Sequence, residues 1–448
     1  MVISTSSLEK EFEKVLEPFH HFIKDQTTSS MVLISFTILA LVIANSQYYH
    51  TYEALLHLPL GVFLGDFSFS MNIKHWINEG FMTLFFFLLG MEIKREILVG
   101  EMKDKKRLIP VIAAAFGGMV VPAIIFYFLN ADTDYVKGWG IPMATDTAFA
   151  VGILALLGNR IPSAIFAFLT ALAIIDDLGA ILVIAFFYSD TINFTPLAFA
   201  ATIMVALITC NLLGIRRPFI YFIGGVMLWL CMLGSGIHST VAGILVAATI
   251  PARTARDPVW FVLKVKNLLK RFEKMEKNRD DTNPILGESA QHSVVEEVEK
   301  AAEKTTAPLR RWEKYLEHPV SLFVIPIFAL TNAGIPIDVG TLPELIDNTL
   351  AMGIILGLVL GKGIGIPLMA WLTIHFKLGC LPPNVNIQHI IGLGLLGGMG
   401  FTMSIFVSNL GFENNPETLL TAKMGIIVAS LIAGLSGYLW LRLKSSRV

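Results

Sequence analysis

The chain has 448 residues, 54% of them hydrophobic and 15% charged, with a mean hydropathy of +0.66 and a net charge of −1. Soluble domains carry about a quarter charged residues, so the composition excludes one and points to a polytopic membrane protein. The balanced charge excludes a global basic surface for nucleic acid. The scattered cysteines Cys210, Cys231 and Cys380 suggest neither a disulfide framework nor a metal cluster.

Residues 1–30 read as an amphipathic surface segment. Ser6-Ser-Leu-Glu9 has the form of a capping box, and Leu8, Phe12, Val15, Leu16, Phe19, Phe22 and Ile23 share one face of a helix over 5–25. Such a helix lies along a membrane rather than across it. Acids and bases are mixed without an uninterrupted apolar core, so no cleavable signal peptide is expected.

Residues 31–251 carry eight expected spans. The first is Met31–Ser46. A hairpin near 58–72 follows, from the alternation Phe67-Ser-Phe-Ser-Met71 after the turn signal Gly65-Asp66. Then come Ile73–Leu98, Leu108–Leu129, Trp139–Leu157, Pro162–Tyr188, Pro196–Leu213, Phe219–Leu233 and Gly236–Ile250. A charged loop at 252–318 interrupts the hydrophobicity, with helical character over Val294–Leu316. Residues 319–448 supply Pro319–Ala333, Leu350–Ile374, Ile390–Leu410, Ala422–Leu443 and a short tail. The fold class is all-α, with about twelve spans by the roughly twenty-residue criterion.

Loop charge orients the spans. Lys103, Lys105, Lys106, Arg107, Arg160, Arg216, Arg217, the 252–318 loop, Lys377, Arg442, Lys444 and Arg447 all fall on one side. The other side holds only Lys74 and Lys137, so both termini are expected to be cytoplasmic.

Few ionisable residues then lie at membrane depth. Asp176 and Asp177 sit in Ala171-Leu-Ala-Ile-Ile-Asp-Asp-Leu-Gly-Ala180, in a run with no other charge between Arg160 and Asp190. Asp146 stands alone between Lys137 and Arg160, and Lys362 between Asp347 and Lys377. Intramembrane ionisable groups are expensive and mark proton or cation pathways. Hard carboxylate oxygens in a net negative site suit a hard cation. Neighbours on a helix point about 100° apart, so one of the two adjacent aspartates can face Lys362 while the other faces a water-filled cavity. Two spans are also poor continuous helices. Pro142 precedes Thr145-Asp146-Thr147 in the fourth, and Gly392, Gly394, Gly397, Gly398 and Gly400 run through the eleventh. Interrupted helices in corresponding positions of two halves point to a transporter site, although glycines also serve close helix contacts.

Ala144-Thr-Asp-Thr-Ala-Phe-Ala150, Ala171 to Gly179, Gly90-Met-Glu-Ile-Lys-Arg-Glu96 and Gly400-Phe-Thr-Met-Ser-Ile-Phe406 closely resemble the NhaA-type bacterial sodium/proton antiporters. The resemblance runs over most of the chain. It implies twelve helices, inverted repeats at spans three to five and ten to twelve, and crossing of the interrupted fourth and eleventh. It also implies electrogenic, pH-regulated exchange of sodium or lithium for protons in the inner membrane, with no cofactor.

Carried over by position, Asp177 is the principal cation and proton ligand. Asp176 is its partner, alternating between a Lys362 ion pair and a protonated form, and Thr145 joins the site. Asp146 offsets the facing helix N-termini and Lys362 the C-termini. Glu92, Arg95 and Glu96 resemble a pH-response cluster, joined by Glu313 and His238, and Glu79 an acid on the access path. As bare sequence, Glu92, Arg95 and Glu96 are equally interfacial charges on one helical face, and His238 a hydrogen-bonded span end. The long 252–318 loop departs from the family, with Lys314 where a histidine is common. The 67–71 hairpin resembles the family's dimer-forming hairpin, which implies a homodimer.

Two other classes compete. A membrane aspartyl protease needs its carboxylates on different helices flanking one peptide bond, whereas Asp176 and Asp177 are neighbours. A cation channel builds symmetric rings and weak sites. Another proton-coupled cation transporter stays open as an alternative.

Overall fold

The computed structural model describes residues 26–64, 67–99, 105–189, 192–277, 289–336, 340 and 343–444. The surface helix expected over 5–25 and the Gly65-Asp66 turn lie outside them. The described residues are mostly helical, with one antiparallel hairpin among them, β1 (Pro59–Leu64) with β2 (Phe67–Asn72), paired Pro59 to Asn72 through Leu64 to Phe67. The hairpin expected from alternation is present, and its two strands form the whole of the sheet.

The helices are α1 (Gln26–Ala44), α2 (Tyr49–Leu56), α3 (Met82–Val99), α4 (Lys105–Asn130), α5 (Thr147–Leu156), α6 (Ser163–Phe187), α7 (Phe194–Leu212), α8 (Pro218–Leu233) and α9 (Val241–Thr249). Beyond them come α10 (Pro258–Lys277), α11 (Ser289–Thr305), α12 (Pro308–Pro319), α13 (Ile325–Asn332), α14 (Thr349–Leu356), α15 (Lys362–His375), α16 (Ile387–Gly397), α17 (Phe401–Gly411) and α18 (Pro416–Lys444). A π turn at Trp76–Phe81 leads into α3, and others join α12 to α13 and α14 to α15. Among the described residues, by length and apolar composition, five helices can cross a bilayer alone, and up to eight if each bent helix pair counts as one span.

Three expectations change. The span expected at Gly236–Ile250 is helical only over α9, because Gly236 takes a positive φ of 82° and 236–240 form turns. Lys94 then donates to the carbonyls of Ala248 and Ile250 at the end of α9. The helical stretch expected at Val294–Leu316 is two helices, α11 and α12, parted before Pro308, whose ring cannot continue a ladder. The span expected at Pro319–Ala333 instead continues α12 through a π turn into α13.

Breaks in the fourth and eleventh spans are where Pro142 and the glycines indicated. A 3-10 segment, Asp134–Met143, runs to extended residues 144–146 and then α5, with a 44° bend. α16 and α17 are likewise parted at 398–400 and bent by 44°. The breaks cross: Asp146 N donates to Met399 O at 2.6 Å, and Ser404 Oγ to Ile141 O at 2.8 Å. A Cβ on Gly400 would stand 2.8 Å from Ala144 O, so only glycine admits this approach. α4 and α15 meet as closely, since Cβ atoms on Gly117 or Gly365 would fall about 2 Å from the other's carbonyl. That contact fixes α15, and with it Lys362, against α4.

Candidate functional site

Asp146 is the N-cap of α5, with Oδ1 accepting from Phe149 N at 3.2 Å. Its Oδ2 accepts from Thr402 N at 2.9 Å and Thr402 Oγ1 at 2.5 Å, at the start of α17. One carboxylate therefore answers the unpaired N–H groups and positive dipole ends of both half-helices. The C-terminal ends are met less directly. Thr145 Oγ1 lies 3.2 Å from Gly397 O at the end of α16 and also hydrogen-bonds Lys362 Nζ, so the lysine reaches that end through the threonine.

The two aspartates on α6 diverge as helical geometry requires. Asp176 is fully buried, with Oδ2 3.2 Å from Lys362 Nζ and 2.8 Å from Thr145 Oγ1. Asp177 points the other way, into a cavity of about 230 Å³ also lined by Glu92, Thr145, Asp146, Glu317, His318 and Thr402. Oδ1 of each aspartate is buried and has no hydrogen-bond partner among the described residues. Orphaned buried carboxylate oxygens are costly unless a proton or cation completes them.

At the cavity mouth, Arg95 Nε donates to Glu313 Oε1 at 2.7 Å and Arg95 Nη1 lies 3.6 Å from Glu96. The structure thus brings Glu92, Arg95, Glu96 and Glu313 to one end, and Lys314 turns outward, exposed. Burial pushes the Glu313 carboxyl above its usual range. Arg95 pulls it back by less, and Glu317 adds to the rise.

The structure does not bring His238 together with Glu92, Arg95, Glu96 and Glu313. Its Nε2 contacts Tyr188 O at 2.6 Å, because the Gly236 turn folds residues 236–240 against the end of α6. It lines a second cavity, of about 460 Å³, together with Glu79, Lys74, Asn78, Asn409 and Glu413. Glu79, in the π turn, accepts from Ser239 Oγ at 2.6 Å, and its carbonyl accepts from Trp229 Nε1 at 3.1 Å.

Lys423 was not among the buried charges singled out from sequence. Lys423 on α18 is 6% exposed, its Nζ donating to Asn332 O at 3.0 Å. It lies one residue inside the span expected at Ala422–Leu443. Glu317, on the cavity wall four residues after Glu313, was recoverable from that helical spacing. Thr402 had no such signal, since only the crossing brings it to Asp146.

The fold and site define a class: a multi-pass helical membrane protein with two broken helices crossing beside buried carboxylates. The Na+/H+ antiporter 1 family model matches residues 20–441, and the chain belongs to that family. The Na(+)/H(+) antiporter NhaA 1 of Shewanella denitrificans is 45% identical over 440 residues, 98% of this chain and 97% of the relative. That of Saccharophagus degradans is 43% identical over 433 residues, 97% and 93% of the two chains. The NhaA antiporter of Sulfurimonas denitrificans is 42% identical over 434 residues, 97% of each. These relatives are named as transporters, not enzymes.

Proposed function

We propose that the chain is an electrogenic Na+(Li+)/H+ antiporter of the bacterial inner membrane, exporting sodium in exchange for protons under pH control. It has about twelve spans, inverted repeats at spans three to five and ten to twelve, cytoplasmic termini and the Glu92 end on the cytoplasmic side. It works as a homodimer through its hairpin, whose two-stranded sheet leaves edges open to pairing.

The observation that carries this reading is the different surroundings of the adjacent aspartates. Asp177 meets the cavity with an orphaned oxygen, while Asp176 is held by Lys362 and Thr145. Asp177 is the ligand that exchanges proton for sodium. When sodium enters, Asp176 turns from Lys362 to complete its oxygen shell, and Lys362 is released. Two carboxyls accept up to two protons against one sodium ion, so a cycle moves net charge. Asp146 keeps the crossing intact by holding both helix starts, and the Arg95–Glu313 group at the mouth answers pH.

Sodium binds only after protons leave, so one site couples the two flows. The test is a series of sodium titrations in proteoliposomes across pH. Near the site's titration, each unit fall in pH raises the apparent sodium constant up to about tenfold per competing proton. Asp177→Asn abolishes exchange while the protein still inserts. A sodium constant that stays flat while only maximal velocity varies refutes the competition.

A further inference from the structure

The helices pack as two groups. α4, α5, α6 and α14 to α18 pack around the aspartates, whereas α3, α7, α8 and α9 pack together; α13 packs chiefly on α1, touches α3 and the π turn before it, and also meets α17 of the aspartate group. Both cavities lie between these groups, at opposite ends. The first has Leu88 and Glu92 on one wall and Asp177 and Met403 on the other. The second has Asn78 and Glu79 facing Phe406 and Asn409. Of the two, Asp177 lines the first. Phe86, Phe328 and Phe406, each at most 2% exposed, pack with ring centroids 5.5 and 6.1 Å apart and contribute to the barrier.

Beside this barrier, one buried residue ties the two groups. Asn332 ends α13 and is 1% exposed. Its Nδ2 donates to Asn78 Oδ1 at 2.8 Å, within its own group. Across the divide, its Oδ1 accepts from Asn409 Nδ2 at 2.8 Å and its carbonyl accepts from Lys423 Nζ at 3.0 Å. The carbonyl is at the negative end of α13, a natural seat for an ammonium. Lys423 forms no ion pair among the described residues, so this helix end is what it has in place of a carboxylate. A buried ammonium is a poor choice for packing alone. Two hydrogen bonds across a divide bias an equilibrium and still break within a transport cycle.

We propose that Asn332, with Asn409 and Lys423, is a positioning latch that holds the helix groups together at the Glu79 end and keeps Asp177 facing the Glu92 end. Outward release requires both of these bonds to part, together with the His238–Tyr188 contact at the same end. The latch rests on the antiporter reading, because only a protein that alternates its site needs one.

The experiment uses the full-length protein in membrane vesicles of either orientation, with Cys210, Cys231 and Cys380 replaced by Ser and Met403→Cys as reporter. Met403 lines the first cavity, three residues before Phe406 in the second. A membrane-impermeant thiol reagent reads the ratio of labelling from the two sides. In the parent, labelling comes from the Glu92 side. Asn409→Ala and Lys423→Gln each shift the ratio toward the Glu79 side by about fivefold, the effect of one net hydrogen bond. Asn409→Leu keeps about the same size but loses the donor without adding a charge, so it shifts as Asn409→Ala does, whereas a mere packing role leaves it like the parent. Half-buried Asn409 carries the test alone if the Lys423 variant does not fold. A ratio unchanged from the parent in the Asn409 variants overturns the latch. Labelling needs no transport, so failure of the antiporter reading appears separately, as no sodium-driven proton movement in the parent.

Discussion

Replacing Lys362 by Ala isolates the ion pair at the centre of the site. Lys362 Nζ and Asp176 Oδ2 are 3.2 Å apart, and both side chains are 0% exposed. With the ammonium gone, Asp176 keeps only Thr145 as a donor. Breaking a buried pair on one side costs about 3–5 kcal/mol. At roughly 2.1 cal/mol/K per residue, a chain this long unfolds with an entropy near ~0.9 kcal/mol/K, so the melting temperature falls by about 3–5 °C. An orphaned carboxylate escapes the penalty by taking a proton, so the loss shrinks as pH falls. Lys362→Ala with Asp176→Asn removes both charges and recovers part of the stability. The assay is thermal unfolding of detergent-solubilised parent, single and double variants across pH. A Lys362→Ala protein that melts like the parent at every pH refutes the pair.

Glu313→Gln tests the pH response. A carboxyl held above its ordinary range by burial keeps its proton in the folded state after the unfolded chain has lost it. It therefore favours folding as pH falls through the raised value and disfavours it as pH rises. Ionisation on the alkaline side puts full charge opposite Arg95, and glutamine removes that step, so the pH profile of exchange flattens or moves; an identical profile discards the role. Asp146→Ala leaves two helix starts uncapped, at about 1 kcal/mol each, and lowers the melting temperature together with activity, whereas a loss of activity without destabilisation contradicts the capping role. Replacing residues 59–72 by a short polar loop yields monomers by light scattering in detergent, and dimers of unchanged stability place the contact elsewhere.

Much of this protein was legible in its sequence because a bilayer punishes exceptions. A charge or a helix break inside an apolar run has few harmless explanations, so Asp146, Asp176, Asp177, Lys362 and both interrupted spans stood out unaided. The divergence of Asp176 and Asp177 followed from 3.6 residues per turn. What sequence could not decide was which distant groups meet. Thr402 reaches Asp146 across 256 positions, and Lys423 reaches the end of α13 across 91. His238 lay among the pH-responsive residues by resemblance, but the turn at Gly236 carries it to the opposite cavity. Hydropathy reports the depth of a residue along the membrane. Only the packing of the helices decides what faces it at that depth.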